Sequence, residues 1–241
     1  MLRGIKLYLI PTNLIGMADA STAGKTGLNL GKFKNLIGTI YLPSIVYINP
    51  IFLGTCSNVE LRQGWSEIFK YGLLGSRELI RLINRYFDKR PKDKKMILKI
   101  IKKTIHIRIT IMKINPLASN LGHTFGHAIE KITNNSIPHG DAVSMGVVLA
   151  LKFAKNKKLL SENKYISIVS MMKKIGLVTE INFKFSKKKL LNYMLKDKKS
   201  FDNKVGLILI KDIGMPYMKN SLPFFYCKSN EMFNFLKSEI K

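Results

Sequence analysis

Three of the four histidines of this 241-residue chain fall within seventeen residues, at positions 123, 127 and 139. In the segment SNLGHTFGHAIEK, a helical repeat of about 100° per residue places Asn120, His123, His127 and Glu130 on one face. Imidazole is the commonest protein ligand for zinc-like metals, and two histidines four residues apart on a helix can reach one ion. The spacing resembles HExxH but has threonine in place of the glutamate, which argues against a metalloprotease. The cluster therefore predicts a functional site, with metal binding as its simplest chemistry.

A carboxylate and an ammonium group precede this segment, where Glu67 and Lys70 lie three residues apart in GWSEIFKYG. At a surface, such a pair contributes only about 0.2–0.5 kcal/mol. Here Trp65, Phe69 and other bulky apolar residues surround the pair, which favours a pocket. A glutamate in that pocket could complete a two-histidine, one-carboxylate zinc site with an open position for a substrate.

The loop DASTAGKTGLNLGKFKN is a third candidate for chemistry. Its Gly-Lys-Thr matches the end of a P-loop, but the first glycine of that motif would fall at Asp19, so an NTPase is not predicted. Lys25 and Lys34 stand among small residues whose backbone N–H groups can approach an anion closely. The loop therefore predicts a phosphate or carboxylate site.

Two kinds of structure must position these residues. Short apolar runs predict strands at Ile5–Ile10, Leu36–Leu42 and Ser44–Ile48, with a short helix and a loop over 12–35. From Asn58 onward the pattern is helical, and Ser57 or Asn58 is the expected cap. Further helices are predicted at Ser76–Phe87, Lys92–Met112, Leu117–Thr133, Asp141–Lys155, Ser161–Ile175, Ser186–Lys196 and Glu231–Ile240, with a strand or hairpin arm at Val205–Ile210. We therefore predict an α/β part at residues 1–58 and a mostly helical domain at residues 59–241.

The composition narrows the classes of protein. With 46% hydrophobic residues the chain can bury a core, so wholesale disorder is excluded despite a net charge of +26. The charge alone favours a nucleic-acid partner, but the sequence has no zinc-finger spacing, RNP-like aromatic motif or concentrated basic arm, and we expect none. The uncharged run Leu36–Val59 is interrupted by glycines and prolines, so no membrane span is expected. Two distant cysteines are no disulfide framework, and a cytoplasmic location is expected.

Seven segments in order resemble successive motifs of the 3-dehydroquinate synthase family: RGIKLYLIPTNL, ADASTAGKTGLN, KNLIG, ELRQGWSEIFKYG, NLGHTFGHAIE, HGDAVSMG and MLKDKKSFDNKVG. The resemblance implies a remnant of a Rossmann-like, NAD-binding α/β domain followed by a mostly α-helical metal and substrate domain. It implies a phosphate-eliminating lyase of the shikimate pathway, which forms 3-dehydroquinate from the sugar acid phosphate 3-deoxy-D-arabino-heptulosonate 7-phosphate. NAD, zinc or cobalt, and a homodimer are implied as well. Another sugar-phosphate cyclase, such as a 2-deoxy-scyllo-inosose synthase, and a decayed enzyme without turnover are the alternatives.

The resemblance also implies roles for individual residues. The metal ligands would be Glu67, His123 and His139. The catalytic and substrate-binding residues would be Lys25, Lys70, Arg108, Asn120, His127 and one lysine of Asp197-Lys198-Lys199, for which Lys198 is our prediction. The residues along the cofactor would be Thr12, Asn13, Asp19, Lys25, Lys34, Asn35, Phe52, Leu53, Gly54 and Thr55.

Some features of the family are missing. The sequence begins after the family's triple-glycine phosphate-binding turn, and Pro116 stands where a substrate-binding arginine is expected. Arg108 replaces a lysine, and Asp141 replaces a glutamate. We therefore predict that the chain alone binds a metal better than it binds NAD.

Overall fold

The computed structural model describes residues 4–30, 33–88 and 93–240, and for residues 29 and 33–36 it describes the backbone alone. Before residue 58 the elements are short. They are β1 (Tyr8–Leu9), α1 (Leu14–Ala18), β2 (Leu28–Leu30), β3 (Phe33–Ile37), β4 (Ile45–Val46) and a 3₁₀ helix (Pro50–Thr55). Strand β1 pairs with β4 in parallel, and β2 pairs with β3 as an antiparallel hairpin.

The strand predictions for this part are only partly correct. Strands occur within Ile5–Ile10 and Ser44–Ile48, but each has two residues. The strand predicted at Leu36–Leu42 lies earlier, at β3, because it pairs with β2, which was expected to be loop. Beyond the hairpin, Thr26 N–H donates to the Thr39 carbonyl at 2.9 Å, which continues the pairing of the two arms.

Helices dominate from residue 58. They are α2 (Asn58–Gly75), α3 (Arg77–Asp88), α4 (Lys94–Ile114), α5 (His123–Ile132), α6 (His139–Asn156), α7 (Glu162–Lys174), α8 (Lys187–Leu195) and α9 (Ser229–Glu239). Two antiparallel strand pairs lie before α9, formed by β5 (Lys204–Leu207) with β8 (Phe225–Lys228) and by β6 (Ile210–Asp212) with β7 (Met215–Pro216). The predicted cap of α2 is confirmed, because Ser57 Oγ accepts from Glu60 N–H and the Glu60 carboxylate accepts from Ser57 N–H.

One predicted helix start differs by more than two residues from the described helix, and another cannot be compared. Helix α5 begins at His123 rather than Leu117, because Gly122 takes a left-handed conformation with φ +79° that interrupts the helical backbone. Helix α4 begins at Lys94, and the predicted start at Lys92 lies outside the described residues.

The hydrophobic core lies mainly among α2, α4, α5 and α6, around large buried side chains such as Phe69, Phe125 and Phe153. Helix α1 joins it through Leu14 and Met17, which are fully buried. The predicted class, an α/β part followed by a mostly helical part, is confirmed. Among the residues that the structure describes, no helix combines the length and the apolar character needed to cross a bilayer.

Candidate metal and substrate site

Three side chains from three helices converge on one point. Glu67 lies in the middle of α2, and His123 and His139 are the first residues of α5 and α6. Glu67 Oε1 is 3.6 Å from His123 Nε2 and 3.5 Å from His139 Nε2. One ligand atom from each side chain lies within 4.8 Å of the other two. This is the trio that the resemblance implies as metal ligands.

The trio fits a divalent metal. Glu67 is fully buried, and its Oε1 has no hydrogen-bond partner among the described residues. A buried carboxylate oxygen without a partner is costly, and a cation among the three donors would remove that cost. Ligand atoms around tetrahedral zinc, at bond lengths of about 2.0–2.1 Å, lie about 3.3 Å apart, close to the two distances here.

The other carboxylate oxygen of Glu67 is paired with Lys70. Its ammonium group donates to Glu67 Oε2, and the Lys70 side chain is only 2% exposed. Burial would raise the pKa of the Glu67 carboxyl, but Lys70 and the two histidines hold that pKa well below its usual range. Burial would lower the pKa of Lys70, but Glu67 raises it above its ordinary value. The predicted pocket pair is therefore a buried ion pair that keeps the carboxylate charged.

Neighbouring oxygens orient the two imidazoles. The backbone carbonyl of Leu121 lies 3.2 Å from His123 Nδ1, which leaves Nε2 toward Glu67. Glu130 Oε1 lies 3.4 Å from His139 Nδ1. Carboxylate or carbonyl partners on the second nitrogen are typical of metal-binding histidines, since they fix the tautomer and the ring.

The two histidines differ in protonation. Burial and the nearby Lys70 charge hold the pKa of His123 well below its usual value, so its ring is neutral near pH 7. Burial also opposes protonation of His139, but Glu130 and Glu67 outweigh it and raise the pKa of His139 to about 9. A metal must therefore displace a proton from His139.

Two glycines bring α5 and α6 together at this point. A Cβ on Gly146 would lie 2.2 Å from the Gly122 carbonyl oxygen, and one on Gly122 would lie 2.5 Å from Val147 N. The helices therefore touch through their backbones, which lets His123 and His139 approach each other with ring centroids 5.6 Å apart.

The third clustered histidine has a different neighbour. His127 Nδ1 lies 3.6 Å from Asp197 Oδ2, and the imidazole is 44% exposed. Asp197 Oδ1 accepts from Lys199 Nζ at 2.6 Å. Lys199 is buried, whereas Lys198 is exposed, so the lysine of this segment that reaches the cluster is Lys199 and not the predicted Lys198. Asn120 is half-buried in the turn before α5, where its carbonyl accepts from His123 N–H.

A second polar cluster joins the N-terminal part to the helices. Arg108 of α4 is 4% exposed, and its Nε donates to Asp19 Oδ1 at 2.5 Å, while its Nη1 donates to the carbonyl of Thr22. The Tyr71 hydroxyl donates to the same Asp19 oxygen at 2.8 Å, and the Tyr71 ring lies 4.2 Å from Lys70 Nζ. Tyr71 thus connects Asp19 and Arg108 to the buried Glu67–Lys70 pair.

The remaining cofactor residues lie elsewhere in residues 4–58. Lys25, Thr12, Gly54 and Thr55 are exposed, and Phe52 is half-buried. The Asn13 side chain is engaged in the fold, because its Oδ1 accepts from Gly16 N–H and caps α1. The Leu53 side chain is buried in the core. The side chains of Lys34 and Asn35 lie outside the described residues.

Sequence reasoning missed three residues that act on this cluster. Glu130 was placed on the histidine face, but its contact with His139 was not predicted. Asp197 and Lys199 were named only as part of a segment. For Glu130 the available signal was a carboxylate inside the run NLGHTFGHAIE, whereas Asp197 and Lys199 stand in the charged segment LKDKKSFDNK, which offers no such contrast.

Two adjoining family models match the chain. The model described as 3-dehydroquinate synthase N-terminal matches residues 1–63, and the one described as 3-dehydroquinate synthase C-terminal matches residues 64–200. Curated relatives include a 3-dehydroquinate synthase of Clostridium perfringens (strain 13 / Type A), 35% identical over 93% of this chain, and one of Ruthia magnifica subsp. Calyptogena magnifica, 34% identical over 90%. The chain spans 66% and 63% of the lengths of these two relatives.

Solved structures share the fold. A 2-deoxy-scyllo-inosose synthase complexed with carbaglucose-6-phosphate, NAD+ and Co2+ matches 99% of this chain and 68% of its own, with a TM-score of 0.83 and 24% identity. A 2-epi-5-epi-valiolone synthase from Streptomyces hygroscopicus subsp. jinggangensis 5008, with NAD+ and Zn2+ bound, matches 98% of this chain and 66% of its own, with a TM-score of 0.81 and 24% identity. At this identity the two structures support the fold alone. The family models and the curated relatives show that this chain belongs to the 3-dehydroquinate synthase family.

Proposed function

We propose that this chain carries the metal and substrate site of a 3-dehydroquinate synthase, which converts 3-deoxy-D-arabino-heptulosonate 7-phosphate to 3-dehydroquinate and phosphate. The observation that carries the proposal is the trio of Glu67, His123 and His139, with a buried carboxylate oxygen that faces both imidazoles and has no hydrogen-bond partner among the described residues. This is a two-histidine, one-carboxylate donor set, one of the common sets for a catalytic zinc that keeps a position open for water or substrate.

Glu67, His123 and His139 would hold the metal. When bound, a divalent cation there supplies Lewis-acid polarisation of a carbonyl or hydroxyl oxygen. Lys70 keeps Glu67 charged and is itself too buried to act as a mobile proton carrier. Glu130 fixes the ring of His139 through Nδ1, so that Nε2 faces the shared point.

A sugar acid phosphate would lie beside this trio, toward His127. The His127 imidazole is partly exposed and has Asp197 on Nδ1, which leaves Nε2 for proton transfer with a substrate oxygen. Lys199 provides a buried cation bonded to the same Asp197. Asn120 would contribute an amide, and Lys25 an exposed ammonium for the phosphate or carboxylate.

NAD is proposed as the cofactor because the family resemblance implies it and two structural neighbours hold it. We propose that the described residues supply only part of a dinucleotide site. The sequence contains neither G-x-G-x-x-G nor a run of three glycines, and the Asn13 side chain is already engaged as the cap of α1. We therefore propose that Thr12 and residues 52–55 line only part of the cofactor.

The test is phosphate release from the heptulosonate substrate with NAD and zinc, alongside zinc binding measured by competition with a chromophoric chelator. We expect zinc binding by the unaltered chain and its loss in Glu67→Ala, because Ala removes the central ligand. Glu78→Ala is the matched control, since Glu78 is exposed and pairs with Lys103 on the surface. Release of phosphate above Glu67→Ala supports the full activity.

Other outcomes separate the alternatives. Zinc binding without phosphate release would favour an enzyme that retains the metal site without turnover. Release from glucose 6-phosphate, the parent of the analogue held by one neighbour, would favour a 2-deoxy-scyllo-inosose synthase-type activity. Absence of zinc binding by the unaltered chain would contradict the proposed function.

A further inference from the structure

The contact between α2 and α6 decides how far Glu67 lies from His139, because each helix carries one of these side chains. The two helices meet along a seam formed by Arg62, Gln63 and Ser66 of α2 and by Gly140, Asp141 and Ser144 of α6. These six residues are called the α2–α6 seam below. Each lies within five residues of Glu67 or His139.

An ion pair with two parallel hydrogen bonds closes one end of the α2–α6 seam. Arg62 Nε donates to Asp141 Oδ1 at 2.7 Å, and Arg62 Nη2 donates to Asp141 Oδ2 at 2.8 Å. The Asp141 side chain is 7% exposed and that of Arg62 is 28% exposed. Such a bidentate pair is stronger and more directional than a single contact, so it fixes orientation as well as distance.

Asp141 lies in the first turn of α6, where a carboxylate can accept hydrogen bonds from the free backbone N–H groups of its own helix. Instead both of its oxygens accept from Arg62 of α2. Asp141 therefore connects the start of α6 to α2. It lies two residues after His139, and its partner Arg62 lies five residues before Glu67.

Two uncharged contacts define the rest of the α2–α6 seam. A Cβ on Gly140 would lie 2.4 Å from Gln63 Cα, so the backbones are in direct contact there. The buried Ser144 hydroxyl donates to Ser66 Oγ at 2.9 Å, next to Glu67. Neither contact carries charge, and neither fixes rotation of α6 about its axis as a two-bond pair does.

The other contacts described for the proposed metal ligands do not fix the separation of α2 and α6. Leu121 orients His123 within the turn before α5, and Glu130 orients His139 from α5. Both of these contacts fix the orientation of an imidazole ring. The separation of α2 and α6 instead determines the distance between Glu67 Oε1 and His139 Nε2, which is 3.5 Å.

We propose that Arg62 and Asp141 are positioning residues for the metal centre, and that their ion pair holds Glu67 and His139 at coordinating distance. The proposal rests on the proposed function, because it requires that the trio bind a metal. Loss of the pair should weaken metal binding without removing any ligand.

The experiment titrates the full chain with zinc against a chromophoric chelator and records the visible absorption of the cobalt form. Arg62→Met keeps the length of the side chain and removes both donors. We expect about tenfold weaker zinc binding, in the range typical of residues that support metal ligands, and a shifted or weakened cobalt band. Asp141→Asn should show the same change, while Asp141→Glu, which keeps a carboxylate, should restore most of the affinity.

Arg77→Met is the matched control. Arg77 Nη2 donates to Asp212 Oδ2 at 2.7 Å, an arginine–aspartate pair that joins α3 to β6 and touches no metal ligand. We expect its zinc affinity and cobalt spectrum to equal those of the unaltered chain. If losing an arginine–aspartate pair weakened zinc binding only by destabilising the fold, Arg62→Met and Arg77→Met would lose zinc affinity to the same extent.

Each outcome decides the question. If Arg62→Met and Asp141→Asn bind zinc as the unaltered chain does, the positioning role is wrong while the proposed function stands. If the unaltered chain binds no zinc, the proposed function fails and this proposal fails with it. If circular dichroism shows that Arg62→Met is unfolded, Asp141→Asn decides instead, and unchanged affinity in that variant, which has lost the charged partner of Arg62, would overturn the proposal.

Discussion

Residues 4–58 and the helical part that follows bury very different shares of their apolar side chains. Twelve of the twenty-one exposed large apolar side chains in the described residues lie between Ile5 and Ile51. The apolar side chains of this part that are buried in the core are those of Leu14, Met17, Ala18 and Leu53. The parallel sheet of this part consists of β1 and β4 alone among the described residues, and parallel sheets are normally larger and covered on both faces.

The difference separates two kinds of functional residue. The three proposed metal ligands lie on α2, α5 and α6 beside the packed core, where Glu67 and His123 are buried and His139 is half-buried. Lys25, Thr12, Gly54 and Thr55, which we associate with the cofactor or the phosphate, lie on an exposed surface. We infer that the metal site depends mainly on the helical part. Among the described residues, α1 reaches α2 and α4 through Asp19, which accepts from Arg108 and Tyr71, and through Leu14, which packs against Gly64.

The largest effect expected in the helical part follows removal of Lys70. Lys70→Met leaves a fully buried Glu67 carboxylate without its cation, so the free energy of unfolding of the metal-free chain should fall by about 3–5 kcal/mol. Urea unfolding measures this loss, and zinc should restore more stability in the variant than in the unaltered chain. Lys103→Met, from the exposed pair with Glu78, is the control and should cost less than about 1 kcal/mol. A similar cost for both variants would contradict the picture of a buried, coupled pair.

The contact between the two parts gives the next largest effect. Asp19→Asn removes the charged partner of the buried Arg108, and we expect a loss of about 1.5–3 kcal/mol in unfolding free energy. Zinc affinity should stay unchanged, because no ligand lies on α1 or α4. Tyr71→Phe is the milder companion, since it removes one neutral hydrogen-bond donor from Asp19. A tenfold fall in zinc affinity for Asp19→Asn would show that the metal site is not confined to the helical part.

A smaller effect concerns pH. Because the pKa of His139 is about 9, a proton competes with zinc below that pH, and the apparent zinc affinity should rise about tenfold from pH 7 to pH 8 and level off above pH 9. Glu130→Gln removes the largest of the contacts that raise this pKa, so the pH dependence should flatten. Chelator competition at several pH values measures both slopes. An affinity that does not change between pH 7 and pH 8 in the unaltered chain would contradict the assignment of His139.

The smallest effect is expected at the exposed apolar side chains of the N-terminal part. Ile40 is 84% exposed, and Ile40→Ser should change the free energy of unfolding by less than about 0.5 kcal/mol. Leu14→Ala, in the same part but fully buried, should cost about 2–5 kcal/mol. Urea unfolding of the two variants measures the contrast. A large loss for Ile40→Ser would show that this surface is covered in the folded protein.

The sequence predicted best what local chemistry determines. Ser57 and Glu60 carry their own capping signal, and the α2 helix begins where they place it. The apolar residues around Glu67 and Lys70 indicated a pocket, and the pair is buried. His123, His127 and Asn120 were placed on one side of a single helix, but Gly122 ends that regularity and leaves Asn120 in a turn.

The choice between neighbouring residues depended on structure beyond the helices. Helix α8 ends at Leu195, so helical spacing no longer says which of Lys198 and Lys199 points inward. Pairing between distant strands decides it, because Gly206 of β5 packs directly against the backbone of Lys199. The hairpin of β2 and β3 escaped prediction for a similar reason, since Gly and Asn residues hide its alternation and the pairing itself creates the strands.

The backbone contact between Gly122 and Gly146 limits which sequences can support this metal site. Even the methyl group of alanine would overlap the opposite helix at either position, so a library of random substitutions should lose metal binding at these two glycines as often as at the histidines. A search restricted to residues with reactive groups would overlook both. The smallest residues of the motif are therefore among its least replaceable, although they contribute no atom to the coordination.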